Sequence, residues 1–184
     1  MSNKVDLSTF NNECYKTGGS LFKRCLWFIL NKLVIRSYIL PSSSFKIFFL
    51  RLFGATIGKS VVIRPGVNIK FPWRLTIGDN SWIGENVWID NLESVQIGSN
   101  VCISQGALIL SGNHDYKSTS FDLLIAPIVL EEGVWIGAKA IVCQGVTIKS
   151  HAVLTTGSIA TSDLESYSVC KGNPAKKYRE RIIK

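Results

Sequence analysis

Histidine is nearly absent from this chain of 184 residues: only His114 and His151 occur. A metal centre built on three histidine ligands from one chain is therefore excluded, and no metal is expected. Cysteine occurs five times, as Cys14, Cys25, Cys102, Cys143 and Cys170, but no two stand in Cys-x-x-Cys spacing. That excludes a zinc ribbon, a dithiol redox motif and a dense disulfide scaffold. Reduced thiols in a cytoplasmic protein are the expectation. A long uncharged apolar run is also lacking. Residues 21–40 are apolar but carry Lys23, Arg24, Lys32 and Arg36, whereas a spanning helix needs about 20 largely uncharged residues. This stretch reads as an amphipathic basic helix, lying on a membrane surface or on its own domain. The first twenty residues are polar, so no secretory leader is expected.

Acidic residues are scarce at both ends. Residues 1–78 hold twelve Lys and Arg against Asp6 and Glu13, and residues 171–184 hold six against Glu180. The segment between them holds three Lys against ten acids. Two basic ends thus flank an acidic middle. No aromatic-interleaved RNA motif or helix-turn-helix accompanies them, so no nucleic acid is expected; anionic lipid or the phosphates of a cofactor fit better.

What is abundant is a six-residue period. An aliphatic residue recurs at Ile57, Ile63, Ile69; Ile77, Ile83, Ile89; Ile97, Ile103, Ile109; Leu130, Ile136, Val142; and Ile148, Leu154, Ala160. A small or β-branched residue follows four positions later, as at Val61, Val67, Ser81, Ala107 and Ala140. A helix repeats at 3.6 residues and a strand at two, so a hexad is one short strand plus one turn, and three hexads make one coil of a solenoid. The register breaks after Ile69, Ile89 and Ile109. Each break follows a third hexad, so all insertions emerge at one corner of a triangular prism, and the longest lies in 110–129. Gly, Asn, Asp and Ser between the strands suit corners that need positive φ.

The hexads resemble those of the left-handed parallel β-helix acyltransferases with hexapeptide repeats. The run Ser-Gly-Asn-His-Asp-Tyr at 111–116, Ala126-Pro127, Gly-Val-Trp-Ile-Gly at 133–137 and Lys-Gly-Asn-Pro-Ala at 171–175 is similar to the colanic-acid-type sugar O-acetyltransferases in particular. The implied fold is mainly β: a left-handed parallel β-helix of about five coils at 55–170, an N-terminal amphipathic helical arm at 1–54 and a short C-terminal basic tail at 171–184. The implied activity is acetyl transfer from acetyl-CoA to a sugar hydroxyl of a surface polysaccharide or its lipid-linked precursor. The implied assembly is a homotrimer, cytoplasmic, with peripheral contact to anionic membrane as a further expectation.

A sugar hydroxyl is a poor nucleophile until its proton is being removed, and a neutral imidazole with a pKa near about 6.5 suits that task. The resemblance makes His114 the base. Asp115 is the nearest carboxylate that would fix its tautomer; Asp90, Asp122 and a backbone carbonyl remain alternatives. Asp90 and Asn91, in the preceding insertion, are candidates for binding the acceptor. His151 falls at a turn and reads as structural. By motif, coenzyme A contacts fall at Ala138, Thr156 and Thr161, with Lys176 and Arg179 for its phosphates. Ser162 stands where that family commonly has lysine, which leaves one phosphate contact to Lys139, Lys171 or Lys177. Trp82, Trp88 and Trp135 occupy outward strand positions and need cover, from a trimer seam, the arm or the donor groove.

Three other readings keep the fold: an acyl-carrier donor, N-acetylation of an amino sugar, and a non-catalytic scaffold. The scaffold alone would be indifferent to loss of His114.

Overall fold

The computed structural model describes residues 4–40 and 42–184. Three parallel sheets close into a solenoid, and the chain visits them in strict rotation. The first face stacks Thr56–Ile57, Leu75–Ile77, Val95–Ile97, Ile128–Leu130 and Thr147–Ile148. The second stacks Val62–Ile63, Trp82–Ile83, Cys102–Ile103, Trp135–Ile136, Val153–Leu154 and Ser168–Gly172. The third stacks Asn68–Ile69, Trp88–Asp90, Leu108–Leu110, Ile141–Val142 and Ile159–Ala160.

The hexad aliphatics form three vertical columns. Ile57, Ile77, Ile97, Leu130 and Ile148 pair in sequence up the first face. All fifteen hexad aliphatics are buried, and so are the small residues four positions later. Each fully buried isoleucine contributes roughly 1.5–3 kcal/mol of transfer free energy, so the columns supply the main cohesion. Ser81 and Ser158 are the polar members of that inner set, and Ser81 shows how the burial is tolerated. Its hydroxyl donates to the Gly98 carbonyl at 2.8 Å and accepts from the Val101 amide at 3.1 Å, which removes the penalty of burying it.

Two kinds of glycine serve this architecture. The corner positions that need positive φ are held by Gly66, Gly106, Gly133, Gly145 and Gly157, or by residues such as Asn80, Asn86, Asn100 and His151. The glycines directly after the hexad aliphatic have a different reason, close approach of the next coil. A Cβ on Gly137 would stand 2.4 Å from the Thr156 nitrogen and 2.7 Å from the Thr155 carbonyl carbon. Strands about 4.8 Å apart leave no room there for a side chain.

The solenoid runs further than the five coils expected. Leu164 bridges to Ile148 on the first face, and Ser168–Gly172 pairs with Val153–Leu154 on the second, so a sixth turn is begun. The basic tail is a strand rather than a free end. Ala175–Glu180 folds back antiparallel on Ser168–Gly172 and caps the second sheet. Its backbone donors would otherwise be left at an open edge.

The N-terminal arm divides into a strap and a helical unit. Helix α1, Leu21–Leu30, starts at Ser20, whose hydroxyl accepts from the Lys23 amide, and runs into a π-helical turn, Asn31–Ile35. Helix α2, Ser43–Leu52, starts at Ser42 in the same way. Both pack on the first coil. Trp27 is buried against Phe53 and donates its indole N–H to the Ile69 carbonyl at 2.9 Å. Lys46 is fully buried and donates to the Arg64 carbonyl at 3.0 Å. Desolvation lowers its pKa from the ordinary lysine value. Among the described residues, no helix is long and apolar enough to cross a membrane.

Candidate active site

The insertions at 70–74, 91–94 and 111–127 all leave the corner between the third and first faces. The longest folds into a hairpin, Gly112–His114 against Leu123–Ile125, with His114 opposite Leu123. Its base is anchored by Ser111, whose amide donates to the Asp90 carbonyl at 3.2 Å. The tip closes through the Asp115 amide, which donates to the Asp122 carbonyl at 2.8 Å.

His114 is half-buried and fixed twice. Its Nδ1 lies 2.8 Å from the carbonyl oxygen of Phe121, and its ring stacks on the Phe121 ring at 4.4 Å with an 8° interplanar angle. A carbonyl can only accept, so Nδ1 carries the proton in the neutral ring and Nε2 presents a lone pair. Phe121 adopts φ +55°, a left-handed conformation that bulky residues rarely take. That local strain turns the carbonyl toward the imidazole.

Asp115 does not orient His114. Its carboxylate accepts from the Lys117 amide at 2.9 Å, a turn contact within the hairpin tip. The role expected of it is taken by the Phe121 backbone. Asp122 is likewise committed elsewhere: the hydroxyls of Ser118 and Ser120 donate to it at 2.7 Å each. Those hydrogen bonds, Ser120 first, hold its carboxyl below the usual range.

The two acceptor candidates separate. Asn91 is fully buried; its side chain accepts from the Phe71 amide at 2.9 Å and donates to the Phe71 carbonyl at 2.6 Å. Both ends hold the preceding corner and the side chain is fully buried, so Asn91 is not presented to a ligand. Asp90 is nearly buried, with Lys70 Nζ 2.9 Å from its carboxylate.

A strap of residues 4–20 crosses this same corner. The Asp6 amide donates to the Thr119 carbonyl at 2.8 Å, and the Phe10 ring lies 5.8 Å from His114. Tyr15 donates to the Leu92 carbonyl at 2.8 Å, and Trp73 to the Thr17 carbonyl at 2.7 Å. Arg74 fastens the strap, donating to the carbonyls of Leu92 and Lys16 with its guanidinium 5.4 Å over the Tyr15 ring. A cavity of about 550 Å³ remains between strap and hairpin, lined by Asn12, Tyr15, Arg74, Glu93 and Asp122 among others. Neither Phe10 nor Phe121 was singled out by sequence reasoning. The signal for them was faint, an aromatic in a polar arm and another seven residues after the histidine.

A second cavity, about 800 Å³, runs along the C-terminal coils of the second face. It is lined by Trp135, Thr155, Thr156, Val169, Arg179 and Arg181. Of the expected donor contacts, Thr156 and Arg179 line it. Ala138 adjoins it, accepting from the Gly157 amide at 2.9 Å at the corner where Thr156 also sits. Thr161 is exposed after the third-face strand, and Lys176 is exposed opposite Lys171; neither lines the cavity. Arg181, not foreseen, donates to the carbonyls of Gly133 and His151 and pins the final strand to the turns. His151 itself occupies a turn at φ +60° and packs on Tyr167 at 4.9 Å, as a structural residue. Trp82 and Trp135 stand outward on one face, two coils apart with Cys102 between them, and Trp88 stands outward on the third face. Among the described residues no cluster suits a metal ion.

The profile "Hexapeptide repeat of succinyl-transferase" matches residues 74–111 and 127–162, the two blocks on either side of the hairpin. WcaF of Escherichia coli strain K12, named for a provisional role as a colanic acid biosynthesis acetyltransferase, is 38% identical over 96% of this chain and 97% of its own length. The chain belongs to the hexapeptide-repeat acetyltransferase family. Among solved structures, galactoside acetyltransferase in complex with coenzyme A superposes with a TM-score of 0.78 at 25% identity, over 93% of this chain and 85% of that one. The acetyltransferase VCA0836 of Vibrio cholerae, complexed with acetyl coenzyme A, reaches 0.81 over 96% and 97%, a likeness of fold at 22% identity. This chain is accordingly an acyltransferase.

Proposed function

We propose that this protein moves the acetyl group of acetyl-CoA to a sugar hydroxyl of a surface polysaccharide or its lipid-linked precursor, with His114 as general base. The observation that carries the reading is the commitment of His114 Nδ1 to the Phe121 carbonyl. With that nitrogen protonated and held, Nε2 is the only basic position of the ring. It takes the acceptor proton as the hydroxyl oxygen attacks the thioester carbonyl. The new C–O bond forms, the C–S bond breaks, and the proton passes from Nε2 to the departing thiolate. The Phe121 carbonyl stabilises the imidazolium formed midway, in the manner of an orienting group behind a catalytic histidine.

The donor is assigned to the 800 Å³ cavity, with Thr156 on its wall and Arg179 for the phosphates. Support comes from the acetyltransferase relatives and from their complexes with coenzyme A. A homotrimer accords with the outward Trp82 and Trp135, which need cover. Peripheral contact with an anionic membrane accords with Phe22, Phe28, Leu33, Ile39, Phe48 and Leu52 of the helical unit. All six are more than half exposed, with Lys23, Lys32 and Arg36 beside them.

The test is coenzyme A release from acetyl-CoA across a panel of sugars, for the wild type and His114→Ala. Release is read by mass spectrometry, because the exposed thiols of Cys14 and Cys25 would react with a thiol dye. Release that requires both a sugar and His114 supports the proposal; sugar-dependent release that survives His114→Ala refutes the base. Light scattering reports the trimer. Sedimentation with phosphatidylglycerol vesicles at low salt reports the membrane contact, and protein left in the supernatant removes that part.

A further inference from the structure

A cleft opens where α1 and the π-helical turn meet the third face. Arg24, Lys32, Arg36 and Lys70 converge on it, with Trp27, Phe28 and Trp88 as apolar walls and Asp90 at its floor. Its volume is about 340 Å³. Four cations face one carboxylate, whose Oδ1 has Lys70 Nζ at 2.9 Å as its ion-pair partner but accepts no hydrogen bond. Among the described residues, Arg24, Lys32 and Arg36 form no ion pair. The Nε of Arg24 is moreover buried without a hydrogen-bond partner. A buried guanidinium N–H left unmatched is costly, and native proteins leave few such groups without a reason.

Three like charges gathered into one concave site repel each other, and packing alone does not call for them. Helices α1 and α2 already dock through Trp27, Leu50 and Phe53. The arrangement suits a compact ligand of high negative charge. Two arginines provide forked donors matched to phosphate oxygens, and the lysine adds a mobile point charge. We infer that this cleft binds a phosphate or diphosphate group.

The position of the cleft links it to the reaction. Asp90 forms its floor, and the Asp90 carbonyl accepts from both the amide and the hydroxyl of Ser111, three residues before His114. The cleft and the catalytic hairpin thus share one corner of the prism, on adjacent coils. A phosphorylated acceptor held here by its charge would leave its sugar free to reach the imidazole. Assigning the phosphate to the acceptor rests on the acetyl-transfer reading, whereas the binding site itself does not. The same chemistry is carried by two kinds of acceptor, a nucleoside diphosphate sugar and a polyprenyl diphosphate sugar. Phe28, 67% exposed beside the cleft, gives the second an apolar surface to follow.

Inorganic pyrophosphate is the first probe, titrated calorimetrically into protein saturated with coenzyme A so that the donor cavity is occupied. The expected result is saturable binding that weakens with added salt. In the double variant Arg24→Gln, Arg36→Gln, affinity falls about tenfold or more, as expected when charge-assisted hydrogen bonds are removed. Coenzyme A affinity of the same variant stays unchanged. Lys32→Gln, a change at an exposed residue, provides a second variant that keeps the fold and lowers affinity in the same direction. Uridine diphosphate and geranyl diphosphate then separate the two acceptor classes: the tighter one names the source. Failure of the wild type to bind pyrophosphate, or equal binding by wild type and both variants, overturns the inference. Because binding is read without turnover, it stands or falls apart from the role of His114.

Discussion

Orientation of His114 by a backbone carbonyl and a stacked ring leads to an unusual ranking of mutational effects. Phe121→Ala deletes the stacked ring but keeps the carbonyl and the positive φ. A stacked aromatic pair is worth about 0.5–1.5 kcal/mol beyond its buried area, comparable with the net value of about 1 kcal/mol for the hydrogen bond that remains. With the ring gone, the imidazole samples other rotamers, and the fraction poised with Nε2 outward falls. A loss near 1 kcal/mol corresponds to about fivefold in kcat, since about 1.4 kcal/mol is tenfold. KM for acetyl-CoA stays constant, because Phe121 does not line the cavity proposed for the donor. Asp115→Asn changes kcat by less than about twofold, because the amide oxygen still accepts from Lys117. His114→Ala removes the base and costs about 10²–10⁴-fold. Steady-state kinetics on the three variants, with circular dichroism as the folding control, checks the order. A loss with Asp115→Asn larger than with Phe121→Ala would refute the reasoning, since it would show a carboxylate acting on the imidazole.

Three further outcomes follow from the fold. Gly137→Ala drives a Cβ into the Thr155–Thr156 backbone, so a cost of about 2 kcal/mol, roughly 4–8 °C in Tm, accompanies weaker acetyl-CoA binding in calorimetry; an unchanged melt would show that the coils are not so closely stacked. Lys46, with its pKa lowered by burial, holds its proton more weakly folded than unfolded. Wild-type stability therefore rises with pH from the lowered value toward the ordinary lysine value of about 10.4, and denaturant melts of Lys46→Met, lacking that slope, lose ground to the wild type as pH is raised toward about 10. Arg74→Ala loosens the strap, because the hydrogen bond to the Lys16 carbonyl and the cation over the Tyr15 ring are lost together; limited proteolysis within residues 4–20 then quickens while the melting of the solenoid shifts little.

The solenoid was legible residue by residue. Fifteen hexad positions and the small residues that follow them point inward as their period requires, because a coil of three short strands leaves room for little else. The common corner of the insertions was legible for the same reason, as each break followed a third hexad. The sixth turn and the returning strand Ala175–Glu180 were not, since they break the hexad rule and are held by edge pairing and by Arg181. Asn91 misled for a physical reason: an asparagine that turns a corner and one that binds a sugar have the same side chain. Only its burial against both polar groups of Phe71 distinguishes them.

The amino-acid sequence by itself therefore determined the period, the inward columns, the corner that carries the long hairpin and the scarcity of histidine that makes His114 the candidate base. Local repetition is enough for these, because each coil repeats the environment of the one before. Tertiary structure alone decided what holds the imidazole, which residues wall the cavity along the C-terminal coils, how Arg74 ties the strap across the hairpin, and that Arg24, Lys32, Arg36 and Lys70 meet in one cleft. Those pairings join residues far apart in the chain, or backbone groups that every residue carries, and neither leaves a mark in residue spacing.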